Sequence, residues 1–322
     1  MHSNRHRRGC TPQHCDDLLG QFSALRRWPQ GAECRQCAVV PGVNAVVTPA
    51  EVPAVKKSTD SQDGPGGASV GTAAWGRACG GRLTLAEQCR LAMQTVAAQL
   101  RLHLRAPNTA SDNPQRRWSR LDPESIELPD TSTVARAMEL VQQSTPLWLC
   151  RHSLRTWSWA ALLAQADALR PDAEVLAISC LLHDLALLPP HQSAVALRCP
   201  CFAIQGGQRA HLFLREHGWA DARAIAVEEA ICLHMNPRVM LDAGIEAHLL
   251  HEAAAMDVVG ARMGEIDTLS RQAVLDRYPR TDFVQQMAEA MRQQADQAPD
   301  TRVRLLWRMG FERAIRRSKW PE

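Results

Sequence analysis

Residues Pro171 to Leu188 read PDAEVLAISCLLHDLALL. Val175, Ile178, Leu182 and Leu185 recur at three- and four-residue steps, the period of one helix face, and Pro171-Asp172 is a natural opening for a helix. The segment then ends in an adjacent histidine and aspartate inside an apolar run. Burying both costs free energy unless something binds them. Being consecutive, His183 and Asp184 diverge by about 100° around the helix axis, yet a single cation just off the helix end can reach both. For an isolated pair the plainer alternative is a hydrogen-bonded core histidine beside a capping aspartate.

The neighbouring segments carry the same period. TSTVARAMELVQQS repeats Val134, Met138 and Val141, with Thr131 or Ser132 available as an N-cap. GQRAHLFLREHG has Gly218 as a stop, ARAIAVEEAICLHMNP is halted by Pro237, and IEAHLLHEAAAMDVVGAR follows. No stretch alternates like an amphipathic strand for more than a few residues. The fold class expected is all-α, an irregular helical bundle. LTLAEQCRLAMQTVAAQLRLHLRA shows a similar pattern near residue 83. The organisation read from these patterns is a low-complexity tail over 1–85, a helical extension or linker over 86–127, a bundle over 128–300 and a C-terminal helix over 301–322.

Composition bounds the rest. The 322 residues are 45% hydrophobic and carry a net charge of +3, enough apolar content for a sizeable core. Residues 1 to 120 hold 16 Lys+Arg against 8 Asp+Glu, and the remainder 21 against 26, so the C-terminal part is mildly acidic with no basic stripe for nucleic acid. No apolar run of about 18 residues exists to span a bilayer, and MHSNRHRR lacks the apolar segment of a secretory signal, so a cytoplasmic protein is expected. Eleven cysteines, five of them in or beside apolar segments, argue against a disulfide framework. Residues 38 to 81 are rich in Gly, Pro, Ser, Thr, Ala and Val without sustained period, which predicts disorder and makes residues up to about 85 dispensable for the fold. Cys10, Cys15, Cys34 and Cys37 include one zinc-like spacing, CRQC, but the first pair is spaced differently, and unpaired thiols are expected there.

Two further residues give the His183-Asp184 pair company. His152 stands in LWLCRHSLRTWSW, again apolar, and Asp257 in HEAAAMDVVGARMG, a helix of small residues where a buried carboxylate needs a partner. Two imidazoles and two carboxylates on separate turns of apolar helix suit a divalent ion such as Zn²⁺, Mn²⁺ or Fe²⁺.

The order His152, His183-Asp184, Asp257, with steps of about thirty and about seventy residues, resembles the H…HD…D pattern of the HD-domain metal-dependent hydrolase superfamily. LPDTSTVARAMELVQQSTPLWLCRHSLRTW, LLHDLAL, AICLHMNP, HEAAAMDVVG and YPRTDF, between Leu128 and Phe283, look like landmarks of its cyanamide hydratase-like family. The resemblance implies an HD-type bundle over 128–300 holding one divalent ion, zinc foremost with Fe, Mn or Ni as alternatives, on His152, His183, Asp184 and Asp257. Its bound water would have its pKa lowered towards about 7 and would add to the carbon of a cyanamide-like nitrile or amide. Asp184 would also accept the water's proton. Arg155 would orient substrate or pair with a carboxylate ligand, and His234 would donate within the pocket or to the ligands. His211 is a weaker candidate for a second ion. His248 and His251 are expected at the surface, and Trp148, Trp157 and Trp159 in the core or pocket wall.

Departures bear on the substrate. In CFAIQGGQRAH, Ala203 and Gln205 stand where that family carries acids, and Leu185-Ala186-Leu187 lacks the acidic residues that follow the HD pair in nucleotide-specific relatives. The alternative is a metal-dependent phosphohydrolase on a nucleotide or other phosphomonoester, which would need a basic pocket; no lysine lies between Lys57 and Lys319. The expected partner is a small-molecule substrate, with no nucleic acid and no membrane, and a homo-oligomer is compatible with the chain. Loss of the ion is expected to destabilise the fold by leaving Asp184 and Asp257 close together and poorly solvated.

Overall fold

The computed structural model describes residues 68–104, 126–188 and 199–321. Among these there are twelve α-helices and no strand: α1 (Ala73–Cys79), α2 (Leu85–Leu104), α3 (Ser132–Ser144), α4 (Leu147–Ala166), α5 (Ala173–Leu182), α6 (Phe202–Glu216), α7 (Asp221–Leu233), α8 (Ile245–Val259), α9 (Thr268–Arg277), α10 (Phe283–Gln297), α11 (Arg302–Arg308) and α12 (Phe311–Arg316). The all-α expectation holds. None of the described helices is long and apolar enough to cross a membrane.

Local chemistry sets the boundaries that matter. Thr131 caps α3 by accepting from the Val134 amide, and Asp172 caps α5 by accepting from those of Glu174 and Val175. Gly218, two residues beyond α6, and Gly260, directly after α8, take positive φ (80° and 74°), the conformation that ends a helix at least cost. Gly207 matters for packing instead. A Cβ there would lie 2.8 Å from the Glu228 carbonyl oxygen and 2.6 Å from the Cys232 sulfur, so its absence lets α6 press against α7. The described cysteines are all free.

Helices α4, α5, α7 and α8 pack on one another, with α6 against α7, and these four carry or directly precede His152, His183, Asp184, His234 and Asp257. One apolar cluster fills the space around α3, α4, α5 and α8. A second gathers α1, α6, α10 and α11. His152 and His234 stand against Phe283 and Phe202 of this second cluster, so the polar residues sit where the two meet.

Two boundaries are corrected. The tail does not extend to residue 85: α1 buries Trp75 completely, and its indole nitrogen donates to Glu87 at 2.8 Å. Glu87 also accepts from the Thr84 amide, and its own amide donates to the Thr84 hydroxyl, a reciprocal capping box that starts α2. Local composition suggested disorder; a single large aromatic with a buried partner overrides it. Residues 1–67, with Cys10, Cys15, Cys34 and Cys37, and residues 105–125 of the expected 86–127 extension or linker lie outside the described residues. The C-terminal helix is two short ones, α11 and α12, separated at Gly310 with φ 93°. A chain beginning at Gly81 should therefore melt well below one beginning at Ala68, by about the 3–5 kcal/mol of losing a buried tryptophan, and Trp75→Ala should reproduce the loss. Coincident melting curves for the two lengths would detach α1 from the domain.

Candidate metal centre

Helix α4 presents His152, Arg155 and Trp159 at i, i+3 and i+7, one face directed at α8 and its Asp257. His183 and His234 use a common device. Each directly follows the last residue of its helix, α5 and α7, and its Nδ1–H donates to the carbonyl three residues back, Cys180 at 2.9 Å and Ile231 at 2.6 Å. His152 donates Nδ1–H to Asp257 Oδ2 at 2.7 Å. With Nδ1 protonated in all three rings, the hydrogen-bond network assigns a bare lone pair to each Nε2.

Those lone pairs converge. His152 Nε2 lies 3.1 Å from His183 Nε2, and Asp184 Oδ2 is 3.5 Å from the first and 3.4 Å from the second. These three residues are 1%, 1% and 3% exposed. Acceptors crowded together in a buried space repel unless a proton or a cation sits among them. Ligand distances of about 2.0–2.2 Å would set neighbouring donor atoms about 3.0–3.5 Å apart for octahedral to tetrahedral angles. The observed triangle matches. Asp184 Oδ1, also buried, has no hydrogen-bond partner, and His234 Nε2 faces it at 3.6 Å. Burial and the His183 neighbour push His234 down to about 3, so it stands neutral as a lone-pair donor. Burial opposes a charge on His152, but the Asp184 and Asp257 carboxylates prevail and raise its proton affinity. The residues fit a divalent ion: His152, His183 and Asp184 form the metal-capable group among the described residues.

Asp257 is not in that group. It lies behind His152, on the Nδ1 side, and its oxygens are fully engaged. Oδ1 accepts from Arg155 Nε at 2.8 Å, Trp159 Nε1 at 3.0 Å and Arg280 at 3.1 Å. Oδ2 accepts from Arg155 at 2.9 Å and from His152. Burial would push this carboxyl up, but the Arg155 and Arg280 guanidiniums hold it well below the usual carboxylate range. Asp257, expected as a direct ligand, here contacts the Nδ1 side of His152, an arrangement that supports the ring from behind. Arg155 is not among the residues that line the cavity: it clamps Asp257 and donates to the Tyr278 and Pro279 carbonyls. Arg280 and Phe283 were not singled out in the sequence, although both lie in YPRTDF. Their signal was the landmark itself, an arginine three residues before an aromatic whose ring it covers at 4.5 Å.

His211 lies apart from the triangle, paired with Glu228 at 3.0 Å and Asp221 at 3.4 Å. His248 and His251 are not surface residues: both are half-buried and line a cavity of about 860 Å³ that also touches His152, His183, Asp184 and His234. Trp159 stacks on Trp320 in the core, Trp157 is buried, and Trp148 packs on Phe283. Ala203 and Gln205 are buried in α6, with Gln205 donating to the Cys199 carbonyl, and neither lines this cavity.

No curated protein matches the chain at a significant level. Residues 149–271 match the family model described as HD domain, a span that contains His152, His183, Asp184, His234 and Asp257 and leaves out the first three helices and the last three. HD domains bind divalent metals and are generally metal-dependent hydrolases, and the donor triangle lies inside the matched span. Over residues 149–271 the chain is similar to HD domains.

Proposed function

We propose that the chain is a metal-dependent hydratase or hydrolase that acts on a nitrogenous substrate, a nitrile or amide, at the His152–His183–Asp184 triangle. The observation that carries this reading is the set of inward Nε2 lone pairs, each fixed by a hydrogen bond on the opposite ring nitrogen, around a carboxylate with a free buried oxygen. A divalent ion held by these residues would polarise the substrate and acidify a coordinated water.

The chain's own groups supply the remainder. Asp184 Oδ1, with no hydrogen bond of its own, is placed to take a proton from the attacking water, while Oδ2 faces the two imidazoles. His234 Nε2, neutral and opposite Oδ1, accepts a hydrogen bond from an N–H of a nitrogenous substrate or from the water. Arg155, Arg280 and Trp159 act through Asp257, which fixes the tautomer and angle of His152. The apolar wall of Met235, Val258 and Met291 keeps bulk water scarce.

The phosphomonoester alternative draws less support. Phosphate recognition needs guanidinium or ammonium groups aimed at the site. Arg155 and Arg280 face Asp257, and of the arginines lining the cavity Arg238 is exposed while Arg262 is bound by Asp167 and Glu265 at 2.8 and 2.7 Å. The deciding assay sets urea release from cyanamide and ammonia release from simple amides beside phosphate release from a nucleotide panel, all on metal-loaded protein. Turnover of nitrile or amide that disappears in Asp184→Asn is expected. Phosphate release as the sole activity would overturn the reading.

A further inference from the structure

The cavity beside the triangle, about 860 Å³, is far larger than cyanamide requires, and most of its extra wall is apolar. On helix α8 the lining passes from His248, His251 and Glu252 to Ala254, Ala255, Val258 and Val259. The two alanines, within a turn of Asp257, leave that stretch without bulk. More apolar wall comes from Met291, Leu306 and Phe311, which stand on α10, α11 and α12, outside residues 149–271. These three side chains are additions to the span that resembles HD domains. Met240 and Leu241, between α7 and α8, line the same cavity and are 46% and 48% exposed. Large apolar side chains left open to water around a concave site mark a binding surface for apolar groups.

The polar groups in the wall are occupied with the protein itself. Arg262 meets Asp167 at 2.8 Å and Glu265 at 2.7 Å, and Glu252 stands 3.6 Å from the same guanidinium, while Arg238 is exposed. Asn236 donates to the Val70 carbonyl at 2.9 Å and accepts from Arg302 at 2.8 Å. His248 and His251 each spend Nδ1–H on a backbone carbonyl. Away from the triangle, the cavity gains most from apolar contact.

Resting on the metal-dependent reading of the triangle, we propose that the substrate is a nitrile or amide borne on an apolar body about ten chain atoms long, and that Ala255, Met291, Leu306 and Phe311 select that body. The length follows from α10. Phe283 packs on the His152 ring with 5.1 Å between centroids, and Met291 lies eight residues further along the helix, about 12 Å at 1.5 Å per residue. An extended chain advances about 1.2 Å per atom, so about ten atoms cover that distance. The triangle contributes equally to every member of such a series, whereas each methylene buried against the wall tightens binding about fourfold.

A homologous series tests this on the metal-loaded full chain: propanenitrile, hexanenitrile and nonanenitrile, with a chain of nonanenitrile length carrying two ether oxygens as the polar control. Affinity is read by calorimetry, and turnover by the amide formed when water adds to the nitrile. Affinity should climb about three- to fourfold per methylene, with the ether control about tenfold or more behind nonanenitrile. Ala255→Phe fills the space beside α8 and should flatten the series. Phe311→Ser should weaken nonanenitrile more than propanenitrile, and its place on a different helix keeps the test decisive if one variant folds poorly. Equal affinities along the series, failure of nonanenitrile to bind, an ether control that binds as well, or a chain-length dependence untouched in both variants overturns the assignment. Affinity and turnover separate the two readings. A steep dependence on chain length that both variants reduce, without hydration of any nitrile, would sink the proposed chemistry and leave the apolar pocket standing. Hydration of propanenitrile and nonanenitrile with equal affinity would do the reverse.

Discussion

Asp257→Ala should lower the melting temperature sharply, and most of that drop should persist in chelated protein. The carboxylate is fully buried and is the shared counter-ion of Arg155 and Arg280, whose side chains are also 0% exposed. Its removal leaves two guanidiniums in apolar surroundings beside Phe283 and Trp320. Breaking a buried pair by deleting one partner costs about 3–5 kcal/mol. At about 2–4 °C per kcal/mol for a domain of 150–250 residues, the drop should be roughly 6–20 °C. Asp257→Asn keeps the volume and one acceptor and should fall between. Arg155→Met removes one of the two cations while Arg280 still faces the carboxylate, and should cost less than Asp257→Ala.

The comparison with and without chelator separates an anchor from a ligand. An anchor stabilises the fold whether or not the ion is bound, so most of the destabilisation should remain in metal-free protein, with a smaller added loss in the loaded form because Asp257 also orients His152. If the destabilisation of Asp257→Ala vanished in metal-free protein, Asp257 would act on the ion directly, and the arginine clamp would be incidental.

The contrast between His183 and Asp257 shows how far the sequence could be read. The helical period around Pro171–Leu188, the capping residue Thr131 and the stop at Gly218 are local signals, set by backbone geometry within a few residues, and each appears in the fold. His183 and Asp184 were legible for the same reason: two polar groups at the end of an apolar helix are an anomaly in any context. Asp257 was equally anomalous, but an anomaly says that a partner exists without saying which. Its partners, Arg155, Arg280 and Trp159, come from 102, 23 and 98 residues away, and only packing brings them together. Trp75 repeats the lesson at the N-terminus. A glycine- and serine-rich neighbourhood hides a residue whose indole is paired with Glu87, and the TLAE capping box at 84–87 was the local sign that ordered structure was near. His248 and His251 read as surface residues because their helix carries polar groups on that face; the face is polar because it lines a cavity.

Removing the ion should lower the melting temperature, and adding it back should restore it with concentration dependence. The mechanism differs from one in which two abandoned carboxylates repel each other. Asp257 keeps two arginines when the ion leaves, so its charge stays compensated, and the loss falls on the triangle alone. There His152 Nε2 and His183 Nε2 face each other at 3.1 Å beside Asp184, a cluster that then needs a proton in place of the cation. The size of the effect follows from linkage: free ion at a hundred times its dissociation constant stabilises the native state by about 2.7 kcal/mol. Scaled to a domain of this size, that is about 5–11 °C. In His183→Ala and Asp184→Asn the response to added metal should shrink or vanish, since each removes or weakens one corner of the triangle. The chelated form of Asp184→Asn should melt close to the chelated wild type, because it keeps the side-chain volume and removes a buried charge, whereas chelated His183→Ala should melt lower because it also opens a cavity beside Asp184. Metal-free protein, verified by elemental analysis, that melts with the loaded form would mean that a proton shared between the two imidazoles satisfies the cluster, and the triangle would then be a structural feature of the core.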